Sequence, residues 1–175
     1  MKKNIAILLP YKEKYNLNKA GAASIWVKDY LSISKLKNQT LIFGNLDKKD
    51  KPLTKNFVNI DLTKAYIRKN IQYTKHLYDY HLKNKFNIIE IHNRPESLLY
   101  LIKKKISAKL IFMFHNNPQD MRSSKSINDR IFIAENTDQI YFVSRWVKDK
   151  FFEGLPFNHR NNCEILYPAI KPLKK

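Results

Sequence analysis

Two short apolar runs, each followed by a histidine and an asparagine, constrain the fold of this chain most strongly. Residues 87–91 and 109–114 are rich in β-branched and aromatic side chains, which predicts parallel strands covered on both faces. The 96–105 segment between them has the length of a helix. Because parallel strands point their carboxyl ends at one edge of an open sheet, where such folds bind ligands, His92 and His115 are expected at one crevice.

The rest of the chain continues the alternation of strands and helices. Further buried strands are predicted at residues 4–9, 39–43, 57–60, 138–143 and 162–167. Further helices are predicted at residues 24–37, 61–83, 127–136 and 144–153. At 175 residues, this pattern predicts one α/β domain with a doubly wound, mostly parallel sheet and helices on both faces.

Two helix starts are indicated by capping residues. The Asp61 carboxylate is expected to cap the helix that runs to residue 83, and the Ser144 hydroxyl is expected to cap the last helix. On that last helix, Trp146, Val147 and Phe151 are expected to face the core.

The chain has a net charge of +18, and 27 of its 33 basic residues are lysines scattered through every segment. Proteins that read nucleic-acid sequence rely on arginine for bidentate contacts, and this chain has only six arginines. The charge therefore has three open explanations: a compositional bias, an attraction for an anionic membrane surface or a phosphorylated substrate, and binding of nucleic acid.

Other features limit the class of protein. The single cysteine, Cys163, excludes an internal disulfide and a cysteine-cluster metal site, and it is interpreted as a packed side chain. His76 and His81 are five residues apart and do not share a helix face, which argues against a metal pair. The sequence has no apolar run of roughly 18 residues and no signal-peptide pattern at its start, so we expect a cytoplasmic protein.

The first strand leads into a turn of small residues and then a helix, which is the first half of a nucleotide-binding unit. Gly21 would let the backbone approach a ligand, and the free N–H groups at the helix start can hold a phosphate. The turn reads GAAS and not GxGxxG, so an ordinary turn remains the alternative.

A family resemblance rests on six segments in order: IAILLP, GAAS, IIEIHNRPE, KLIFMFHNNP, DQIYFVSRWVKDKF and CEILYPAIKP. Together they resemble the N-terminal half of a GT-B glycosyltransferase of the family 4 type. The resemblance implies two Rossmann-like domains facing each other across a cleft. The N-terminal domain mainly holds the acceptor, and the other carries a donor-site Glu-x7-Glu pair that this chain lacks. We expect residues 1–167 to be the N-terminal domain and 168–175 to start the linker.

The resemblance also assigns roles to individual positions. It implies that His115 contacts the transferred sugar near the reacting carbon. It implies a second set of residues that face the donor phosphates: Gly21, Ala22, Ser144 and Arg145. It implies a third set that contacts the acceptor or the sugar: His92, Asn93, Arg94 and Asn116.

Each of these positions also has a structural interpretation. Ala22 stands where the family has its second glycine, which weakens the case for close backbone approach there. His92 and His115 could instead cap turns. Arg94 could form a salt bridge with Glu90 or with Glu96.

The implied activity is transfer, with retention at the anomeric carbon, of a sugar from a nucleotide-diphosphate sugar to a glycan or lipid-linked acceptor in cell-surface polysaccharide synthesis. No cofactor and no metal are implied. Breaking the sugar–diphosphate bond leaves negative charge on the phosphate, which cationic groups and helix N-termini stabilise. The other expected partner is an anionic membrane at the inner face, contacted peripherally. No specific nucleic acid is expected, and these 175 residues alone are expected to be inactive.

Two other classes remain open. The chain could be a freestanding basic domain that binds nucleic acid or an anionic surface. It could also be a doubly wound enzyme of another kind, such as a nucleotide-sugar epimerase, although the missing GxGxxG argues against this.

Overall fold

The computed structural model of the protein describes residues 4–62 and 68–168. Within these residues, seven strands form one sheet: β1 (Ile5–Leu8), β2 (Thr40–Gly44), β3 (Phe57–Asn59), β4 (Ile88–His92), β5 (Lys109–Phe114), β6 (Gln139–Phe142) and β7 (Cys163–Ile165). The same ranges contain five α-helices: α1 (Ala22–Ile33), α2 (Lys69–Asn84), α3 (Pro95–Lys103), α4 (Ile127–Asn136) and α5 (Arg145–Phe152). The predicted α/β fold class is confirmed.

The strand order is β3-β2-β1-β4-β5-β6-β7, and all six pairings are parallel. The chain first builds the sheet outward from β1 to β3, and α2 then carries it back to β4 on the other side of β1. The direction of building therefore reverses between β1 and β4. Such a switch point opens a crevice at the carboxyl ends of its two strands, which is where α/β sheets bind ligands.

Different helices cover the two faces of the sheet. On one face, α2 to α5 enclose a core rich in phenylalanine, which includes Phe112 and Phe142. On the other face, α1 packs Trp26, Val27 and Leu31 against the first two strands. Each apolar side chain buried in this way contributes about 1.5–3 kcal/mol. Burial on both faces explains why the central strands appear in the sequence as apolar runs without alternation.

Two predicted helix boundaries are wrong. The helix predicted from Asp61 begins instead at Lys69, and Asp61 itself is not helical. Arg68 precedes it with φ 49°, a left-handed conformation that an α-helix cannot contain. Residues 63–67 of the predicted helix lie outside the described residues. The first helix ends at Ile33, four residues earlier than predicted, because Ser34 is extended.

In the last helix, the predicted cap is confirmed, but one of the three side chains predicted to face the core is exposed. The Ser144 hydroxyl accepts a hydrogen bond from the Val147 backbone N–H at 3.2 Å, as expected. Val147 and Phe151, four residues apart, are both buried. Trp146 is 56% exposed, because the position before Val147 points away from that shared face.

Several further predictions can be compared with the described residues. Cys163 is a free, buried side chain, and burial raises the pKa of its thiol to about 11, which confirms its packing role. Across residues 4–62 and 68–168, no helix has the length and apolar character needed to cross a bilayer. Apart from Pro168, the predicted linker at 168–175 lies outside the described residues.

Candidate functional site

Three ionisable side chains form a hydrogen-bonded chain at the carboxyl ends of β4 and β5. His92 Nε2 lies 2.6 Å from Glu90 Oε1, and His92 Nδ1 lies 2.8 Å from His115 Nε2. His92 is fully buried, Glu90 is 9% exposed, and His115 is partly exposed at the edge. The predicted meeting of the two histidines at one edge is confirmed, and Glu90 extends the pair into a relay.

Strand alternation explains why Glu90 joins the two histidines. In β4, Ile89 and Ile91 pack into the core beneath α2 to α5. Glu90 and His92 therefore point to the opposite face of the sheet, where the Trp26 ring of α1 lies 5.5 Å from the His92 ring. A carboxylate in a buried strand, two residues before a histidine, is a sequence signal that the prediction missed.

Asn93 fixes the turn that follows β4. Its φ is 55°, and asparagine tolerates this left-handed conformation better than most residues. Its backbone N–H donates to the Met113 carbonyl at 2.9 Å, and its Oδ1 accepts from the His115 N–H at 3.3 Å. Asn93 therefore holds the ends of β4 and β5 together, which sets the distance between the two histidine rings.

Two proton arrangements satisfy the contacts of the relay. If His92 is neutral, its Nε2–H donates to Glu90 and its Nδ1 accepts from His115, which leaves a lone pair on His115 Nδ1. If His92 is protonated, it donates to both neighbours, and His115 then carries its proton on Nδ1. A ligand that takes or gives a proton at His115 thus shifts the position of a proton next to a buried carboxylate.

Burial, together with the neighbouring His92, lowers the pKa of His115 from its ordinary 6.5 to about 3. Because unfolding restores the ordinary value, the unfolded chain binds more protons than the folded chain between these pH values. The free energy of unfolding is therefore expected to rise from pH 4 to pH 6.5, with a slope of up to about 1.4 kcal/mol per pH unit from this group. Urea denaturation at a series of pH values measures it.

The matched control for this slope is His115→Asn, which keeps a polar side chain but cannot titrate. The difference between the two stability curves isolates the contribution of His115. Parallel curves for the wild type and the variant over pH 4–6.5 would show that His115 is not held neutral by its surroundings.

The start of α1, predicted to face the donor phosphates, is occupied by a side chain of the protein. The Glu13 carboxylate accepts a hydrogen bond from the Ser24 backbone N–H at 3.2 Å. A Cβ atom at Gly21 would overlap this same carboxylate, so the absence of a side chain there makes room for Glu13. Ala22 is exposed beside it. A phosphate could reach these N–H groups only if Glu13 moved aside.

Removing this carboxylate is expected to weaken the fold. Glu13→Ala should lower the free energy of unfolding by about 1 kcal/mol, because it removes both a hydrogen bond and a negative charge from a helix N-terminus. Glu13→Gln keeps the oxygen acceptor and should cost less. Urea denaturation compares the two variants, and an unaltered stability in Glu13→Ala would mean that the contact contributes nothing in solution.

The remaining predicted residues follow the carboxyl ends of neighbouring strands, and within the described ranges none of them forms a hydrogen bond or ion pair with the relay. Ser144 uses its hydroxyl to cap α5, and Arg145 is exposed at the start of that helix. Asn116 is exposed directly after His115. Among the described residues, Arg94 forms no salt bridge with Glu90 or Glu96. Its guanidinium lies 5.6 Å from the centre of the Tyr11 ring instead.

No family model and no curated protein sequence matches the chain. Solved structures do. The sucrose-phosphate synthase of Thermosynechococcus elongatus matches with a TM-score of 0.64 and 12% identity, over 93% of this chain and 47% of that chain. Anabaena Alr3699/HepE, solved in complex with UDP-glucose, gives 0.62 and 10%, over 95% and 44%. The UDP-N-acetylglucosamine 2-epimerase of Rickettsia bellii gives 0.56 and 14%, over 94% and 44%.

These similarities show the fold, which is that of a Rossmann-like GT-B domain. This chain spans just under half the length of the three proteins. Since one of them is an epimerase, the fold does not separate sugar transfer from epimerisation.

Proposed function

We propose that this chain is the N-terminal, acceptor-binding half of a retaining GT-B glycosyltransferase of the family 4 type. It would act on a nucleotide-diphosphate sugar and a glycan or lipid-linked acceptor in cell-surface polysaccharide synthesis. The observation that carries the proposal is the Glu90–His92–His115 relay, because it places an ionisable side chain at the sheet edge where such folds bind ligands.

His115 is the catalytic residue of this proposal. A neutral imidazole can donate or accept one hydrogen bond at the crevice, and its partner would be a hydroxyl of the transferred sugar near the reacting carbon. Positive charge develops on the sugar as its bond to the diphosphate breaks. The Glu90 carboxylate lies two hydrogen bonds away through His92, so it polarises the relay and makes the free Nδ1 of a neutral His115 a better hydrogen-bond acceptor.

The donor would be held mainly by a second domain. Three observations support a two-domain enzyme: the GT-B fold, the coverage of just under half of the solved neighbours, and the edge position of the candidate residues. Closure of the two domains would bring the donor diphosphate to the starts of α1 and α5. Glu13 would then have to release α1, which couples donor binding to a movement of the loop after β1.

A further part of the proposal concerns where the protein acts and what its lysine-rich surface contacts. The scattered lysines suit a peripheral contact with an anionic membrane at the cytoplasmic face, where a lipid-linked acceptor resides. No metal ion or cofactor enters the proposed mechanism.

Mass spectrometry of the products tests the proposed function. The protein as it is encoded would be incubated with UDP-glucose, UDP-N-acetylglucosamine or GDP-mannose and an extract of cell-envelope lipids and glycans. The proposal expects an extract component that gains the mass of one sugar residue, together with an equal amount of nucleoside diphosphate. An isomerised sugar that appears without any acceptor would favour an epimerase and contradict the proposal.

A further inference from the structure

A second feature of the switch point is a cleft of about 670 Å³ on the α2–α3 side of the sheet. This is within the usual volume range of small-molecule sites. Six cationic side chains line it: Lys12, Arg68, Lys69, Arg94, Lys103 and Arg122. Its one acidic residue, Glu96, is already engaged by Arg122 at 3.4 Å and by the Asn70 amide at 3.2 Å. The cleft therefore carries a strong positive charge.

Arginine is concentrated in this cleft, whereas lysine is spread over the whole chain. Half of the six arginines line it, and the other three have other positions: Arg130 binds main-chain carbonyls, Arg160 pairs with Glu135, and Arg145 begins α5. A compositional bias toward lysine does not explain this clustering. Arginine presents a planar fork of donors that matches the oxygens of a phosphate, so its clustering points to an anionic ligand.

Arg94 is positioned for such a ligand. Its Nε is buried without a hydrogen-bond partner, and it forms no ion pair within residues 4–62 and 68–168. The guanidinium is held over the Tyr11 ring at 5.6 Å, so its orientation is set before a ligand arrives. The side chain is half-buried, and one terminal nitrogen donates to the Asn93 carbonyl at 3.5 Å, so the buried Nε–H is the donor that an entering anion would satisfy.

Two helix N-termini also meet at the cleft. The first residues of α2 line it, and so does the start of α3, where Pro95 has no N–H to offer. Within residues 4–62 and 68–168, no side chain caps either helix start. Free N–H groups and the positive ends of helix dipoles both favour anions. The arginines and the backbone therefore select the same kind of ligand independently.

We propose that this cleft binds a phosphate or diphosphate carried by the acceptor, so that the acceptor of the proposed transferase is anionic. Arg94 is two residues from His92, which limits the separation of their Cα atoms to about 7 Å. Because both residues lie at the end of β4, an acceptor that crosses this edge from the α2–α3 side toward α1 can place its phosphate at Arg94 and a hydroxyl near the histidine pair. The donor diphosphate belongs to a different place, the starts of α1 and α5. The assignment of this ligand as the acceptor rests on the proposed function. Phosphate binding in the cleft does not depend on that function.

Isothermal titration of the chain with inorganic pyrophosphate tests the site. Arg94→Gln with Arg122→Gln is expected to weaken pyrophosphate binding by roughly tenfold or more, since charge-assisted hydrogen bonds to phosphate are lost. The matched control, Lys35→Gln with Lys55→Gln, removes the same charge from exposed positions at the other edge of the sheet and should change affinity less than about twofold. A second pair, Lys103→Gln with Arg122→Gln, alters only exposed side chains, so a loss of pyrophosphate affinity in this variant could not be caused by misfolding.

The outcomes separate the two phosphate sources and the two proposals. Equal losses in the cleft variant and the lysine control would show a diffuse charge effect and overturn the site. If UDP loses affinity in the Arg94 and Arg122 variant as strongly as pyrophosphate does, the cleft serves the donor and the assignment to the acceptor is overturned. Specific pyrophosphate binding in a protein that transfers no sugar would refute the proposed function and leave the anion site intact.

Discussion

If the protein is the proposed transferase, replacing His115 with alanine is expected to reduce the rate of sugar transfer by at least about 100-fold while the protein still folds. A positioned acid–base or hydrogen-bonding side chain contributes about 10²–10⁴ to a rate. The effect should fall on kcat, because the contact to the sugar strengthens as its bond breaks. Steady-state rates of nucleoside diphosphate release, measured on the protein as it is encoded, provide the test.

The chain offers matched controls for this variant. His159 and His76 are exposed, and their replacement by alanine should leave the rate within about twofold. Glu90→Gln tests a positioning residue, because it removes the charge and retains an oxygen near His92. That variant should change both the magnitude of kcat and its dependence on pH. Full activity in His115→Ala would remove His115 from the mechanism.

The largest expected effect on stability concerns Arg130. This side chain is 2% exposed, and its guanidinium donates to four main-chain carbonyls: Phe151 at 2.7 Å, Glu153 at 2.7 Å, Lys125 at 2.7 Å and Ser124 at 3.4 Å. It therefore ties α4 to the carboxyl end of α5, where a positive charge is favourable. Arg130→Met leaves these carbonyls without a donor and should cost about 3–5 kcal/mol.

This loss is a large part of the roughly 5–15 kcal/mol that stabilises a typical domain, so the variant should unfold at much lower urea concentration or fail to accumulate. Arg160→Met is the control, because its ion pair with Glu135 is near the surface and should contribute at most about 1 kcal/mol. Arg130→Lys keeps the charge but loses the fork and should fall between the two. Equal stability of Arg130→Met and Arg160→Met would contradict the role of this network.

Much of the fold could be predicted from the sequence because buried parallel strands have a strong local signature. All seven strands were expected within one or two residues of their observed ends, and the bounds of β5 and α4 agree with prediction. The rule that the carboxyl ends of parallel strands lie at one edge of a sheet was also enough to predict that His92 and His115 are close together. Both results follow from short-range patterns combined with one topological rule.

The rest depends on contacts between distant parts of the chain. Nothing in the local sequence indicates that Glu13 reaches the start of α1, or that Arg122 joins Arg94 at one cleft. The predicted start of α2 is wrong because a capping residue such as Asp61 expresses only a weak local preference. The left-handed backbone at Arg68 overrides this preference. Site geometry of this kind requires the packed structure.

The histidines provide the most direct test of the claim that ligands bind at the edge formed by β4 and β5. Ring-proton NMR signals would be followed while UDP-glucose is added at millimolar concentrations to the protein as it is encoded, including any second domain that holds the donor. The signals of His115 and His92 should move together, while those of the exposed His76 and His159 stay fixed. Shifts confined to His76 and His159, or no shift of His115 at saturation, would contradict the account.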